Sequence, residues 1–299
     1  MTTGQQAGTE PKPAILVITS QVVRGGISGR GITFALERLG HPVWFLPTVL
    51  LPWHPGQGPG TRITADVKTF SALVEDLIAS PKLGEIGGIV TGYLGDPAQA
   101  EPVAALIRAV KQANPKALHV CDPVMGDHMG ETGRLYVPKA TAEAIRDHLV
   151  PLADIVTPNS FELGWLTGRT IDSETQALAA ARSLKADRVL VTSSPALRRN
   201  SIANLLVTGR HAIVAEHAAV PNPPNGTGDL MSGLLLAWLL AGASDETALV
   251  RAAASTFELV ARSVKKGADE LLFAEEQGSV AKPMALVSTR RVMELVGRG

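Results

Sequence analysis

The chain has 299 residues, 45% of them hydrophobic, and its 28 Lys plus Arg balance 28 Asp plus Glu. A formal net charge of zero gives no general attraction for nucleic acid or an anionic membrane, and no apolar run approaches the length of a transmembrane helix. The single cysteine, Cys121, excludes an internal disulfide framework and a Cys/His metal cluster, and it fits a reducing cytoplasm.

The first residues, MTTGQQAGTEPKP, are polar and lack the charged-then-apolar layout of a signal peptide. They are expected to form a disordered tail over 1–13, ahead of one domain over 14–299. Ile15–Thr19 (ILVIT) reads as a buried strand, followed by a Gly-rich turn and a helix through Phe34–Leu39. Val43–Leu46 is a second strand. Over Asp66–Ala79 the spacing of Val67, Phe70, Leu73, Leu77 and Ile78 predicts a helix. Gly88–Thr91 is a strand and Pro102–Ala113 a helix. Ala117–Cys121, Ile155–Val156 and Arg188–Val191 follow as strands with helices between them. Ile202–Val207 and His211–Ala215, separated by Thr-Gly-Arg, predict a hairpin at one edge of the sheet. This alternation implies an α/β fold, a three-layer α/β/α sandwich with a mostly parallel central sheet.

Beyond the hairpin the stretch NPPNGTGDLMSG (222–233) opens a long apolar segment, Leu230–Leu240, which predicts a buried helix. Gly226 and Gly228 leave the first amides of that helix open to an anion such as a phosphate. Asp229 then stands among those donors, either as a plain helix cap or as a proton acceptor. Other polar clusters fall at strand ends, where ligands gather in such sheets. They place Asp122, Asp127, Asn159 and Glu162 on the same rim as the glycine-rich turn. Carboxylates beside an anion site call for a mediating cation, most simply Mg²⁺ on a nucleotide, which points to phosphoryl transfer. Cys121 reads as a small core residue. His54, alone among the seven histidines, lies in a candidate pocket loop.

The ordered set SQVVRG (20–25), TGYLG (91–95), CDPVMGD (121–127), TPNSFEL (157–163) and GTGD (226–229) resembles the pyridoxal kinases of the ribokinase-like superfamily. The resemblance runs from Ile15 to about Arg291. It implies that Asp229 is the base that takes a proton from the 5′-hydroxyl of pyridoxal. It also implies that the amides of Gly226, Thr227 and Gly228 form an anion hole for the γ-phosphoryl of ATP. Asp122 and Glu162 resemble the residues that hold Mg²⁺, partly through water, with Asn159 near the triphosphate. Thr157, Thr192 and Ser193 match nucleotide-contacting positions. Ser20 and Thr48 match positions that bond the pyridine ring, and Tyr93 an aromatic of the pyridoxal pocket. Asp127–Val137 resembles a lid over ATP, carrying Tyr136. The family further implies a homodimer in the cytoplasm and admits K⁺ as an accessory ion.

The sequence departs from the family pattern on the substrate side. Gln21 and Arg24 replace the usual His and Tyr, and the loop LPWHPGQGPG (51–60) replaces a Ser-Asn-His pattern. Two other activities compete with pyridoxal phosphorylation. One is a hydroxymethylpyrimidine kinase, whose turn usually continues with Cys where this chain has Asp229. The other is a catalytically silent vitamin B6 binding protein, which has no need of a phosphoryl anion hole.

Overall fold

The first strand, β1 (Ala14–Val22), sets the layering. Ile15 and Val17 face one side of it and Leu16 and Ile18 the other, and each is at most 1% exposed. A strand buried on both faces belongs inside a parallel sheet covered by helices on each side. The computed structural model, which describes residues 11–129 and 132–292, has this arrangement.

From β1 the chain continues through α1 (Ser28–Arg38), β2 (Val43–Leu51), α2 (Val67–Ile78), β3 (Ile86–Thr91), α3 (Ala100–Ala113) and β4 (Leu118–Cys121). A ribbon of β5 (Gly126–Met129) and β6 (Thr132–Leu135) follows, then α4 (Lys139–Ala144), β7 (Ile155–Val156), α5 (Ser160–Thr167) and α6 (Glu174–Ser183). Next come β8 (Arg188–Ser194), β9 (Ser201–Thr208) and β10 (Ala212–Ala218). The last described elements are α7 (Thr227–Leu240), α8 (Asp245–Lys265), α9 (Gln277–Ala281) and β11 (Ser288–Arg291).

Nine strands form one sheet in the order β11-β10-β9-β8-β7-β4-β3-β1-β2. The run from β2 to β8 is parallel, and β9, β10 and β11 are antiparallel additions. One face packs α1, α7 and α8 on Ile15, Val17, Val90, Val120 and Ile155, with Leu234, Leu235 and Leu236 of α7 fully buried. The opposite face packs α2 and α3 on Leu16, Ile18 and Ile89, and α6 on Val189, Val191 and Leu205.

The three-layer reading of the sequence holds, with three local differences. β1, β2 and β8 run past their expected ends because polar and mixed residues continue the ladder, as in the pairs Gln21 with Leu50 and Val22 with Leu51. Pairing with a neighbour outweighs composition there. The β9–β10 hairpin exists but is not the edge, since β11 pairs outside it. The β5–β6 ribbon went unread, because four-residue strands reading GDHM and TGRL are too short and too polar to show an alternation. Of the expected tail, residues 1–10 lie outside the described residues. Residues 11–13 run irregularly, with Lys12 donating to the carbonyl of Leu39 at 2.5 Å.

The buried side chains of α7 hold the helix whose first turn forms the site. Leu234→Ala should lower the unfolding free energy in urea by about 2–5 kcal/mol, the usual range for a fully buried leucine. A loss well under about 1 kcal/mol would mean that α1 and the sheet close over the cavity.

Candidate active site

The turn before α7 is built for an open helix end. Gly226 takes the N-cap position with φ of +90°, and a Cβ there would lie 2.7 Å from Ile27 Cγ1. No side chain caps the helix, so its first amides remain available to a ligand. Asp229, in the first turn, is 8% exposed. It is not the cap of its own helix, so the plain-cap reading of this residue falls. Its Oδ2 accepts a hydrogen bond from Ser28 Oγ of α1 at 3.1 Å, while Oδ1 is buried without a partner. Beside that free oxygen the chain has Gly92. A Cβ on Gly92 would sit 3.6 Å from Asp229 Oδ1 and 2.7 Å from Thr19 Oγ1, so the missing side chain keeps the approach open.

Asp122, at the end of β4, is 6% exposed. Its Oδ2 accepts from Ser232 Oγ at 3.0 Å, and Ser232 Oγ in turn lies 2.8 Å from Thr157 Oγ1. Burial first, and then the charges of Asp229 and Glu162, push the Asp122 carboxyl well above its ordinary value. Asp229 is raised to about 6 by burial, against the lowering effect of the Ser28 hydroxyl. Glu162 is raised to about 7 by burial, although backbone amides oppose the shift. Three acids of one sign are thus packed at one rim.

Glu162 and Asn159 form a capping box at the start of α5. Asn159 Oδ1 accepts from the Glu162 amide at 2.9 Å, and Glu162 Oε2 accepts from the Asn159 amide at 3.0 Å. Glu162 Oε1 also accepts from the amides of Met125 and Gly126, at 2.8 and 3.4 Å, and Asn159 Nδ2 donates to Gly126 O at 2.8 Å. The β5–β6 ribbon is thereby anchored to α5. Asp127 is exposed on that ribbon and Tyr136, just past it, is 48% exposed.

Ser20 is buried at the end of β1, and Thr48 of β2 donates to the carbonyl of Tyr93 at 2.6 Å. The Thr48 proton is therefore used within the wall, which leaves its lone pairs for a ligand. Tyr93 is half-buried. Arg62 lies over its ring, 5.4 Å from the centroid, and donates to its hydroxyl at 2.8 Å. Arg24 points away from this wall. It pairs with Asp269 at 3.2 Å and donates to Gln57 at 3.0 Å, tying the loop over 51–60 to the C-terminal segment. His54 accepts from the amide of Gly56 at 3.1 Å, and burial lowers its pKa, so it is a neutral local cap. Cys121 is fully buried, with burial pushing its thiol up to about 12.

A mostly apolar cleft opens at the mouth of α7, lined by Thr192, Ser193, Thr227 and Gly228. His217 and Phe257 stack there with centroids 4.6 Å apart, and Asn204 adds a polar edge. The fold thus brings Asp122, Glu162 and Asp229 together, while Tyr93 reaches the surroundings of Asp229 through the bond of its amide to Thr19 and through Gly92. Thr157 stands apart from the cleft lining, facing Ser232 instead. Ser28, Ser232, His217 and Phe257 escaped the sequence reading, since none carries a motif. Only their partners, met across the sheet, reveal them.

Among the described residues no three His, Cys, Asp or Glu side chains are grouped so as to hold a metal ion by themselves. Asp122 offers a hard oxygen ligand, and Glu162 has much of its acceptor capacity taken by amides. That donor set fits a cation that keeps several waters and phosphate oxygens, as Mg²⁺ does.

Residues 83–272 match the family model described as phosphomethylpyrimidine kinase. Over 287 residues the chain is 34% identical to a pyridoxal kinase of Rubrobacter xylanophilus, with 93% of this chain and 97% of that protein covered. The chain belongs to the pyridoxal kinase family. Pyridoxal kinase of Sus scrofa is 36% identical over 246 residues, covering 77% of this chain and 76% of that one. Pyridoxal kinase of Leishmania donovani, solved in complex with ADP and pyridoxamine, has the same fold at a TM-score of 0.87. That match has 24% identity and covers 94% of this chain and all of that one. The phosphomethylpyrimidine kinase model starts at residue 83 and leaves out Ser20, Ser28 and Thr48.

In this pyridoxal kinase fold the clustered acids set a pH dependence. Because Asp122, Glu162 and Asp229 are all raised, ionising them opposes folding. That penalty is absent below their unfolded values of about 4. It grows as pH rises through the folded values of Asp229 and Glu162, about 6 and about 7, and Asp122, also raised, adds to it. Asp122→Asn keeps an acceptor for Ser232 and removes one charge. Without divalent cation it should raise the melting temperature more at about pH 8 than at about pH 4.5. Equal shifts at both pH values would show that the charge is not the burden.

Proposed function

We propose that this chain transfers the γ-phosphoryl group of ATP to the 5′-hydroxyl of pyridoxal, giving pyridoxal 5′-phosphate and ADP. The observation that carries this reading is the free, buried Oδ1 of Asp229 at an uncapped helix end. An acid with a value of about 6 is ionised at neutral pH and still basic enough to take a proton in the transition state. Asp229 accepts the hydroxyl proton as the substrate oxygen bonds to the γ-phosphorus, and the bond from that phosphorus to the ADP oxygen breaks. The amides of Gly226, Thr227 and Gly228 receive the charge on the phosphoryl oxygens.

Asp122 is the acid that faces the cation, with Glu162 acting through water and through its field. Mg²⁺ would supply charge neutralisation between the phosphates. K⁺ as an accessory ion belongs to the same proposal. Thr157 and Ser232 orient Asp122. Thr192, Ser193, His217 and Phe257 take the nucleotide base, with Asn159 at the triphosphate. Ser20, Thr48 and Tyr93 hold the pyridine ring. The ribbon with Asp127, and Tyr136 after it, lies where a cover over ATP would exclude water. We also propose a single domain from residue 14, a homodimer and a cytoplasmic location. The fully buried state of the one cysteine and the lack of any helix long and apolar enough to cross a membrane, among the described residues, support the last.

The phosphomethylpyrimidine kinase match over 83–272 gives the second reading, phosphorylation of hydroxymethylpyrimidine. Release of ADP from Mg-ATP, measured with pyridoxal, pyridoxine, pyridoxamine and hydroxymethylpyrimidine in parallel, separates the two. Pyridoxal is expected to give the higher kcat/KM, and a strong preference for the pyrimidine would sink the first reading.

Asp229→Asn removes the charge and the capacity to accept a proton while nearly conserving shape. The variant should fold and bind ATP with kcat reduced about 10²–10⁴-fold. A stable variant with near-normal kcat would refute the base assignment.

A further inference from the structure

Ser28, the first residue of α1, has φ of +49°, a conformation that glycine adopts freely and other residues avoid. It is 8% exposed, and its hydroxyl meets Asp229 Oδ2 at 3.1 Å. A side chain in this conformation must be supported by what it contacts, and the contact is the carboxylate assigned as the base. The terminal torsion of an aspartate is soft, so a carboxylate without a partner samples a broad range of planes. Asp229 has one partner for Oδ2 and none for Oδ1.

We infer that Ser28 is a positioning residue: by holding Oδ2 from the neighbouring helix, it fixes the carboxylate plane so that Oδ1 faces the substrate hydroxyl. The anchor lies outside the helix that carries the base. Ser28 ends the segment that begins at the close of β1, and that segment is fastened where the Gly26 amide donates to Glu270 at 2.9 Å. The orientation of the base is thus set from α1, an element other than the helix that carries it. The role rests on the function proposed above.

Ser28→Gly separates backbone from hydroxyl, because glycine accepts the same φ without strain and loses only the short side chain that carries the donor. The melting temperature should hold or rise. At the same time kcat for pyridoxal should fall about tenfold or more, the usual weight of a hydrogen bond to a charged group, with both KM values within about twofold. The same substitution in Asp229→Asn should change the residual kcat by less than about twofold, since the oriented carboxylate is already gone. A residue that served only packing would lose activity in step with stability and equally in both backgrounds.

Unchanged kcat in Ser28→Gly, or an equal loss in the Asp229→Asn background, would overturn the assignment. Should Ser28→Gly fail to fold, Ser28→Ala, which keeps a side chain and loses the hydroxyl, carries the same comparison. Wild-type protein that released no ADP with any of the four alcohols would overturn the function itself and this role with it. Wild-type turnover with a fully active Ser28→Gly would overturn only the role of Ser28.

Discussion

Electrostatic repulsion at the rim organises this molecule. Asp122, Glu162 and Asp229 are each more than nine-tenths buried, and the charges of Glu162 and Asp229 oppose that of Asp122. Such a cluster persists only where the surrounding fold over-determines it. Each carboxylate is accordingly supported by a different element. Asp122 relies on Ser232 of α7, Glu162 on the amides of Met125, Gly126 and Asn159, and Asp229 on Ser28 of α1. The helices that hold the acids are in turn fixed by the leucine-rich face of α7 and by the two-sided burial of β1. Stability is spent here on concentrating negative charge where a cation and a polyphosphate would relieve it.

Backbone strain follows the same map. Three non-glycine residues with positive φ lie at the site: Ser28 beside Asp229, Val124 after Asp122, and Ser193 in the cleft lining. Val124 is β-branched, for which this region is especially unfavourable, yet its amide bonds back to Asp122. Val124 and Ser193 sit at strand ends, where the chain leaves the ladder, and Ser28 opens α1.

Much of this was legible in the sequence, because strands and helices announce themselves by period and the motifs fall at strand ends. ILVIT, the apolar run Leu230–Leu240 and the glycine-rich turn before it were enough to place the sheet, α7 and Asp229. The remainder depends on contacts between distant segments. Ser28 and Asp229 are 201 residues apart, and Thr157 and Ser232 are 75 apart, so no local pattern marks them as partners. Arg24 looked like a change in the substrate pocket, and only its partner Asp269 shows that it braces a loop. Glu162 read as a metal acid from its motif, and only the structure shows that three amide donors make it join the β5–β6 ribbon to α5.

The burial of Cys121 has a further consequence. The chain has one sulfhydryl, and it lies in the sheet directly before Asp122, fully enclosed and with its proton held up to about 12. Thiolate is the form that reacts with peroxide or disulfides, and here it is neither formed nor reachable. The residue adjoining the acid cluster is therefore insulated from oxidants. Changes in cellular redox state have no reachable cysteine through which to act on this fold.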